Sequence, residues 1–414
     1  MATLTRSLVF VIAMFNLVSA MTSKKPEIAP LPDFNREVPV LLYSGKDIRI
    51  EIQGAAALEC YRGIKLSEVY YFSSEVKLRF DDHGIEVKDH NGVLTIGLTE
   101  VRCKPRNEST VLRLNGKSYR GFLRGVHREE SESIMILNMV DLEEYLAGVL
   151  PGEIGDRTQD EYAAAKAQAV AARTYAVWKL TNGGSNSVLF PTIADQVYLG
   201  RDSEIDLLTR AVFETTGEVL FYDSKPIAAF YHAVCGGATI PVERAWPDRE
   251  PASYLKSAKD GDYCTWAKTY SWTETFDEAI LEANLKKYFV DRNLSTADDF
   301  GKIVDIEFVF DEKVGRSKRI DVFTDTGLLT VKYDQIRWAL GKPSVPGAIL
   351  PSTKFEVEKQ KTEDGALTLV ITGKGNGHGV GVCQCGAIGR ARVGQKYEKI
   401  LKSYYKDAKI ERIY

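Results

Sequence analysis

The sequence predicts an α+β protein, a mixed β-rich body with a long Ala-rich helix and an N-terminal antiparallel β domain. Three observations carry that prediction. Between Val38 and about Met139, short β-type runs (VPVLLYS, IRIEIQG, VKLRF, GIEVKD, VLTIGL, VLRLNG, SIMILNMV) alternate with Gly, Asn and Asp, as antiparallel strands joined by tight turns do. From Asp141 to Trp178 the pattern becomes helical: DLEEYLAGVLPGEIGDRTQDEYAAAKAQAVAARTYAVW. Beyond Gly200, strand-like and helix-like runs interleave without an internal repeat or long linker, which fits one compact mixed body.

Taken in order, residues 1–20 read as a secretory signal. Arg6 supplies a thin positive start, Leu8 to Val18 an apolar stretch too short to span a bilayer, and Val18-Ser19-Ala20 a small-residue cleavage site. A secreted or periplasmic protein without stable membrane insertion is therefore expected. Residues 21–37 form a polar, Pro-bearing leader, 38–116 the β-rich domain, and 117–414 the mixed domain. His83 and His90 fall near turns of the β-rich domain and read as solvated turn residues.

The 414-residue chain is 44% hydrophobic and 27% charged, with a formal net charge of −3, and the expected signal carries one of its cations, Arg6. No basic patch points to nucleic acid, and a mildly acidic surface would not adsorb to anionic polymers by charge alone. The six cysteines, an even number in an exported chain, predict disulfides, with Cys60–Cys103 and Cys235–Cys264 paired by sequence proximity. A Cys383–Cys385 disulfide would be a small strained ring and a metal site there lacks obvious partners, so these two read as buried free thiols.

In the helical stretch, Asp141 has N-cap chemistry and Glu144 can close a capping box, so a short helix is expected to stop at Pro151-Gly152. Thr158 and Glu161 make a second capping box, opening a helix from Tyr162 to Leu180 about 30 Å long. Glu143 and Glu144 suit a first helical turn, where the macrodipole favours negative charge, and Glu161 suits a cap. Glu153 has no such local explanation in the turn PGEIG.

Further along, a helix is expected over Glu204–Thr215, strands at EVLFYD and PIAAFYHAV, and a tight turn at Cys235-Gly236-Gly237 able to present His232 to a ligand. The aromatics of Trp246 to Trp272 can supply either sugar-stacking surfaces or core. A helix at Phe276–Phe289, strands within Ile303–Tyr333 and a helix at Tyr333–Leu340 follow. The glycines from Gly373 to Gly389, around His378, are too dense for a regular element and fit a loop of close backbone approach.

The order LEEYLAGVLPGEI, AAAKAQAVAARTYAV, DQVYLG, YHAVCGG and GNGHGVGVCQCGA resembles the SpoIID/LytB family, over roughly Lys117 to Tyr414. SYRGFL, TTGEVL, KPIAAFYH, IRWALG and LPSTKF fit the same pattern, while Val382, Cys383 and Cys385 replace Met, Ser and Trp of the family's last segment. The resemblance implies a lytic transglycosylase acting on peptidoglycan glycan strands, with the Ala-rich helix beside the catalytic groove and Glu153 as general acid and base. It further implies that Gln168, Arg173, Tyr175, Tyr198, His232, His378 and Gln384 line that groove, although Gln168 and Tyr175 also fit packing or capping within the helix. Asp195 or Glu143 could supply a second carboxylate for a hydrolase. The His and two Cys with which some family members hold a metal just before the QVY segment are missing from Leu189 to Asp195, so no metal or other cofactor is expected. The competing class is a wall-binding modifier, since the family also contains enhancers of a wall amidase.

Overall fold

A computed structural model describes residues 31, 34–127, 132–184, 187–297, 299–361 and 367–414. The expected signal and most of the leader lie outside the described residues. Asn35–Tyr414 forms one compact unit, and its strands and helices make it α+β. Among the described residues no helix is long and apolar enough to cross a membrane.

The period-2 reading of the N-terminal region holds in detail. In Asp47–Gln53 the residues Ile48, Ile50 and Ile52 are buried while their neighbours face solvent. Twelve strands from Glu37 to Asp141 form two six-stranded antiparallel sheets. One runs in the order Glu37–Gly45, Ile134–Asp141, Phe122–His127, Glu100–Pro105, Ala56–Arg62, Lys65–Phe72. The other contains Lys117–Tyr119, Val111–Leu114, Asp47–Gln53, Glu75–Asp81, Gly84–Asp89 and Gly92–Leu98. Strands beyond residue 116 thus join the same two sheets as those before it. The strand Ile134–Asp141 leads without a break into the helical block, so the sheet aims the first helix.

That helix, α1, spans Leu142–Ile154 and continues through Pro151 instead of stopping there. Proline removes one backbone donor, but contacts from outside the helix support its last two turns. Leu199 N–H donates to Gly148 O at 3.0 Å, and Val197 N–H donates to the Glu153 carboxylate at 2.7 Å. A Cβ at Gly148 would stand 2.6 Å from the Tyr198 ring and one at Gly152 2.7 Å from Val197 O. These two glycines, one turn apart, let the Gln196–Gly200 segment lie against the helix. Gly152→Ala is accordingly expected to cost about 1–3 kcal/mol by overpacking, read as a lowered melting temperature, and to disturb Glu153 through the displaced Val197 amide.

The helix α2, Tyr162–Asn182, follows a one-turn 3-10 helix at Gln159–Glu161 whose Thr158–Glu161 capping box is formed as expected. It has no apolar stripe because it is buried on nearly every side, by α1, by α3 (Asp206–Glu214) and by the strand Glu218–Tyr222. Alanine admits close neighbours all round, which explains the composition. The expected strand PIAAFYHAV is mostly irregular. Lys225–Pro226 and Tyr231–His232 pair, the latter parallel to Val382–Cys383, and Val234 forms an isolated bridge to Asn376.

One short helix and a loop-rich passage separate this region from a second core. After α4 (Val242–Ala245), the helix α5 (Glu278–Asp291) and α6 (Gln335–Leu340) pack with two three-stranded antiparallel sheets around Phe276, Leu285, Phe289, Phe300 and Leu369. The chain then returns through the glycine loop to α7 (Gln384–Arg392) and α8 (Tyr397–Tyr404), both against α2.

Candidate active site

Four chain segments meet at Glu153: the end of α1, the Asp195–Gly200 segment, Tyr231–His232 and its parallel partner Val382–Cys383. The glycine loop makes the last of these meetings possible. Gly375, Gly377, Gly379 and Gly381 all have φ between 70° and 111°, and a Cβ on Gly381 would overlap Phe230 O. The loop lies along residues 230–235 through Val234–Asn376 and Val382–Phe230 backbone hydrogen bonds and delivers Gln384 to the site.

The Glu153 carboxylate accepts from Val197 N–H at 2.7 Å and from Gln384 Nε2 at 3.3 Å, with the Tyr231 hydroxyl beside it. Burial raises its pKa above the usual carboxylate range, and the three hydrogen bonds only partly offset this. Its place in the last turn of α1, at the negative end of the helix dipole, acts in the same direction. The expected turn residue is therefore a helical one, held on a rigid element.

Tyr231 was missed by sequence reasoning. On a strand the residues of a Tyr-His pair face opposite ways, and it is Tyr231 that faces Glu153, where its hydroxyl accepts from Gln196 Nε2 at 2.9 Å. Gln196 is fully buried and also meets Tyr145 and Ala172 O, so it sets the position of that hydroxyl. His232 turns inward to Val380 O at 3.1 Å, and its buried Nε2 has no protein partner. His378 accepts from Val380 N–H at Nδ1 and so donates from Nε2 to Tyr231 O at 2.9 Å; burial pushes its pKa down to about 3, and it holds Tyr231 as a neutral ring.

The remaining expected groove residues divide by partner. Arg173 is fully buried, forms an ion pair with Glu143 at 2.5 Å and also donates to Val212 O, so its guanidinium is spent inside the fold instead of facing a groove. Glu143 in turn accepts from Gly217 N–H and from the Tyr414 hydroxyl, and is a buried hub rather than a dipole decoration. Glu144, expected to close a capping box, instead faces Arg120 at 3.8 Å, while Asp141 caps through Glu143 N–H. Tyr198 donates to Asn138, and Tyr175 donates to Asp195. Asp195 also accepts from Lys179 and Phe190 N–H. Gln168 is buried with neither amide atom partnered by protein.

Beside Tyr175 lies an aromatic cluster of Trp178, Phe230, Trp246 and His378, with the Arg249 guanidinium 4.9 Å over the Phe230 ring. Trp178 and Trp246 are partly exposed. Trp246 also lines a cavity of about 610 Å³ with Lys318, Lys332 and Asp334, which Glu153 does not reach. Trp272, by contrast, packs against the second core.

All six cysteines are free thiols. The expected Cys60–Cys103 bond is not formed: the register pairs Leu58 with Cys103 and Cys60 with Val101, so the two are diagonal neighbours at a separation too long for a disulfide. Nor is Cys235 bonded to Cys264, although their sulfurs lie 3.6 Å apart. Cys383 is buried as expected, whereas Cys385 is partly exposed. Where sequence offered no metal ligands, the fold brings Cys235, Asp260, Cys264 and Cys383 together.

Residues 130–222, which hold Glu153 and α2, match the family of the stage II sporulation protein SpoIID. A Stage II sporulation protein D from Bacillus amyloliquefaciens is 30% identical over 69% of this chain and 77% of its own length. The chain belongs to the SpoIID family. An uncharacterized Brachyspira hyodysenteriae protein is 33% identical over 70% of this chain and 72% of its own. The Amidase enhancer of Bacillus subtilis is 29% identical over 74% of this chain and 46% of its own. Residues 243–381, largely the second core and the glycine loop, match a domain family of unknown function, DUF8618. The SpoIID match thus stops short of Tyr231 and Gln384, two of the three groups that touch Glu153.

Proposed function

We propose that this SpoIID-family protein acts on the cell wall by cleaving peptidoglycan glycan strands as a lytic transglycosylase, with Glu153 as the acid and then the base. One observation carries the reading. Glu153 has a raised pKa and no ion-pair partner among the described residues, whereas Asp195 and Glu143, the two acids that sequence offered as a second carboxylate, are paired with Lys179 and Arg173 and hydrogen-bonded besides. A two-carboxylate hydrolase needs its second group free to act on water or sugar. A transglycosylase does not.

In this mechanism protonated Glu153 gives its proton to the glycosidic oxygen between MurNAc and GlcNAc as the bond from C1 breaks. GlcNAc leaves with a free 4-hydroxyl. The Glu153 carboxylate then takes the proton of the muramoyl C6 hydroxyl, whose oxygen bonds to C1 and closes a 1,6-anhydro ring. The proton count closes without water. Val197 N–H, Gln384 and Tyr231 hold the carboxyl, and their hydrogen bonds stabilise it once it is charged. Partly exposed Trp178 and Trp246 offer stacking faces to a sugar.

Incubation with purified sacculi tests this. Soluble muropeptides ending in 1,6-anhydro-MurNAc are expected by mass spectrometry. Reducing ends carrying one added water would mean a muramidase instead. No release, with stimulation of an added cell-wall amidase, would favour a non-catalytic enhancer, as the name of one relative suggests.

A further inference from the structure

The four buried residues Cys235, Asp260, Cys264 and Cys383 come from three separate segments, and their donor atoms all lie within 4.8 Å of one another. Two of the separations are 3.6 Å between the Cys235 and Cys264 sulfurs and 3.3 Å from the Cys235 sulfur to Asp260 Oδ2. Tetrahedral zinc, with sulfur at about 2.3 Å and carboxylate oxygen at about 2.1 Å, sets ligand–ligand edges near 3.6 to 3.8 Å. The spacing therefore fits around one ion with small adjustments.

The surroundings are those of an anionic centre. Asp260 Oδ1 accepts from the Tyr404 hydroxyl at 2.7 Å and pairs with Arg390 at 3.1 Å, which turns Oδ2 toward the sulfurs. Outer partners of this kind orient carboxylate ligands at metal sites. Backbone amides point at the sulfurs: Cys235 N–H at 3.2 Å and Gly386 N–H at 3.3 Å from Cys383 Sγ, with those of Gly236 and Gly237 facing Cys264.

A separate observation comes from Arg316. It is 3% exposed, with no carboxylate in ion-pair distance among the described residues and its Nε without a partner. Its guanidinium lies 3.5 Å from Cys235 O, and Lys354 Nζ lies 2.7 Å from Gly236 O. An uncompensated buried cation is costly. Three thiolates and a carboxylate around a divalent ion leave two negative charges, which Arg316 and Arg390 offset, with Lys354 close by. Asp334 acts on Arg316 from beyond ion-pair distance and is itself paired with Arg337, so neutral thiols would leave Arg316 without a close counter-charge.

We propose that Cys235, Asp260, Cys264 and Cys383 bind a single zinc ion that is structural, with all four positions filled by protein. On binding, the three thiols release their protons to solvent and no electron is transferred. The donor set, three soft sulfurs with one oxygen in tetrahedral array, favours zinc over calcium or magnesium. The ion would tie the Cys235-Gly236-Gly237 turn to the N-cap of α7. Cys383 is the N-cap of α7 and precedes Gln384, which reaches Glu153 at 3.3 Å. Sequence placed none of this because the ligands are scattered over residues 235–383.

The full chain, purified under reducing conditions without chelator, is assayed for metal and then titrated with Co²⁺ after zinc removal under denaturing conditions and refolding. About one equivalent of zinc per chain is expected, together with thiolate-to-cobalt charge transfer in the near ultraviolet and strong visible bands of tetrahedral cobalt. Cys264→Ser and Asp260→Asn should retain less than about a tenth of an equivalent, while Cys385→Ser, outside the set, keeps its zinc. Wild-type protein needs no folded variant for the decisive readout. Zinc-free protein whose Co²⁺ form lacks charge transfer would overturn the proposal, as would a Cys235–Cys264 disulfide, seen as a chain two mass units lighter, or full native-state alkylation of the three thiols.

Discussion

Glu153→Gln is expected to abolish release of anhydro-muropeptides, by a hundredfold or more, while the protein stays folded. Each proton-transfer role of a general acid or base contributes roughly 10² to 10⁴, and this carboxyl serves in both. Gln keeps the shape, and its oxygen can still accept from Val197 N–H, but it carries no proton to give. The stability of the variant separates chemistry from folding. Because burial raises the Glu153 pKa, the folded protein holds that proton more tightly than the unfolded chain does. The stability it lends is complete below the unfolded value, about 4.3, and is lost as the pH rises through the folded value. Glu153→Gln should therefore match wild type in melting temperature at low pH and exceed it at neutral pH. Wild-type turnover should fall as the pH climbs past the raised pKa, the limb on which the acid is unprotonated. A folded Gln variant with near wild-type release would remove Glu153 from the reaction.

The second large effect is on folding. Glu143→Gln or Arg173→Met is expected to destabilise by about 3–5 kcal/mol, because each leaves a fully buried charge without its partner. Position within the first turn of α1 alone would have put the Glu143 loss near 1 kcal/mol. Glu144→Gln, partly exposed and 3.8 Å from Arg120, should cost under about 1 kcal/mol. Denaturant titration reads all three. A double variant, Glu143→Leu with Arg173→Met, should recover much of the loss, since removing both charges avoids the orphan. If Arg173→Met melted like wild type but lost glycan release, Arg173 would be a groove residue after all.

What sequence determined by itself was whatever a few neighbouring residues decide. Alternation in IRIEIQG gave a strand with three buried isoleucines, Asp141 and the Thr158–Glu161 box marked two helix starts, and Ala-rich composition marked α2. Glu153 stood out because no local rule called for an acid there, and the ordered motifs identified the family. The tertiary structure decided everything that depends on long-range contact. Helix α1 passes Pro151 because residues 197 and 199 hold its last turns, and Tyr231 rather than His232 faces Glu153 because the strand pairs with Val382–Cys383. Arg173 leaves the groove because Glu143, thirty residues earlier, is buried against it. Cys235 meets Cys383 as well as Cys264, which turns an expected disulfide into a four-ligand cluster. Backbone propensity and capping are settled within a turn of the chain, whereas burial, ion pairing and ligand sets are settled by which distant segments pack together, and spacing along the sequence does not encode that directly.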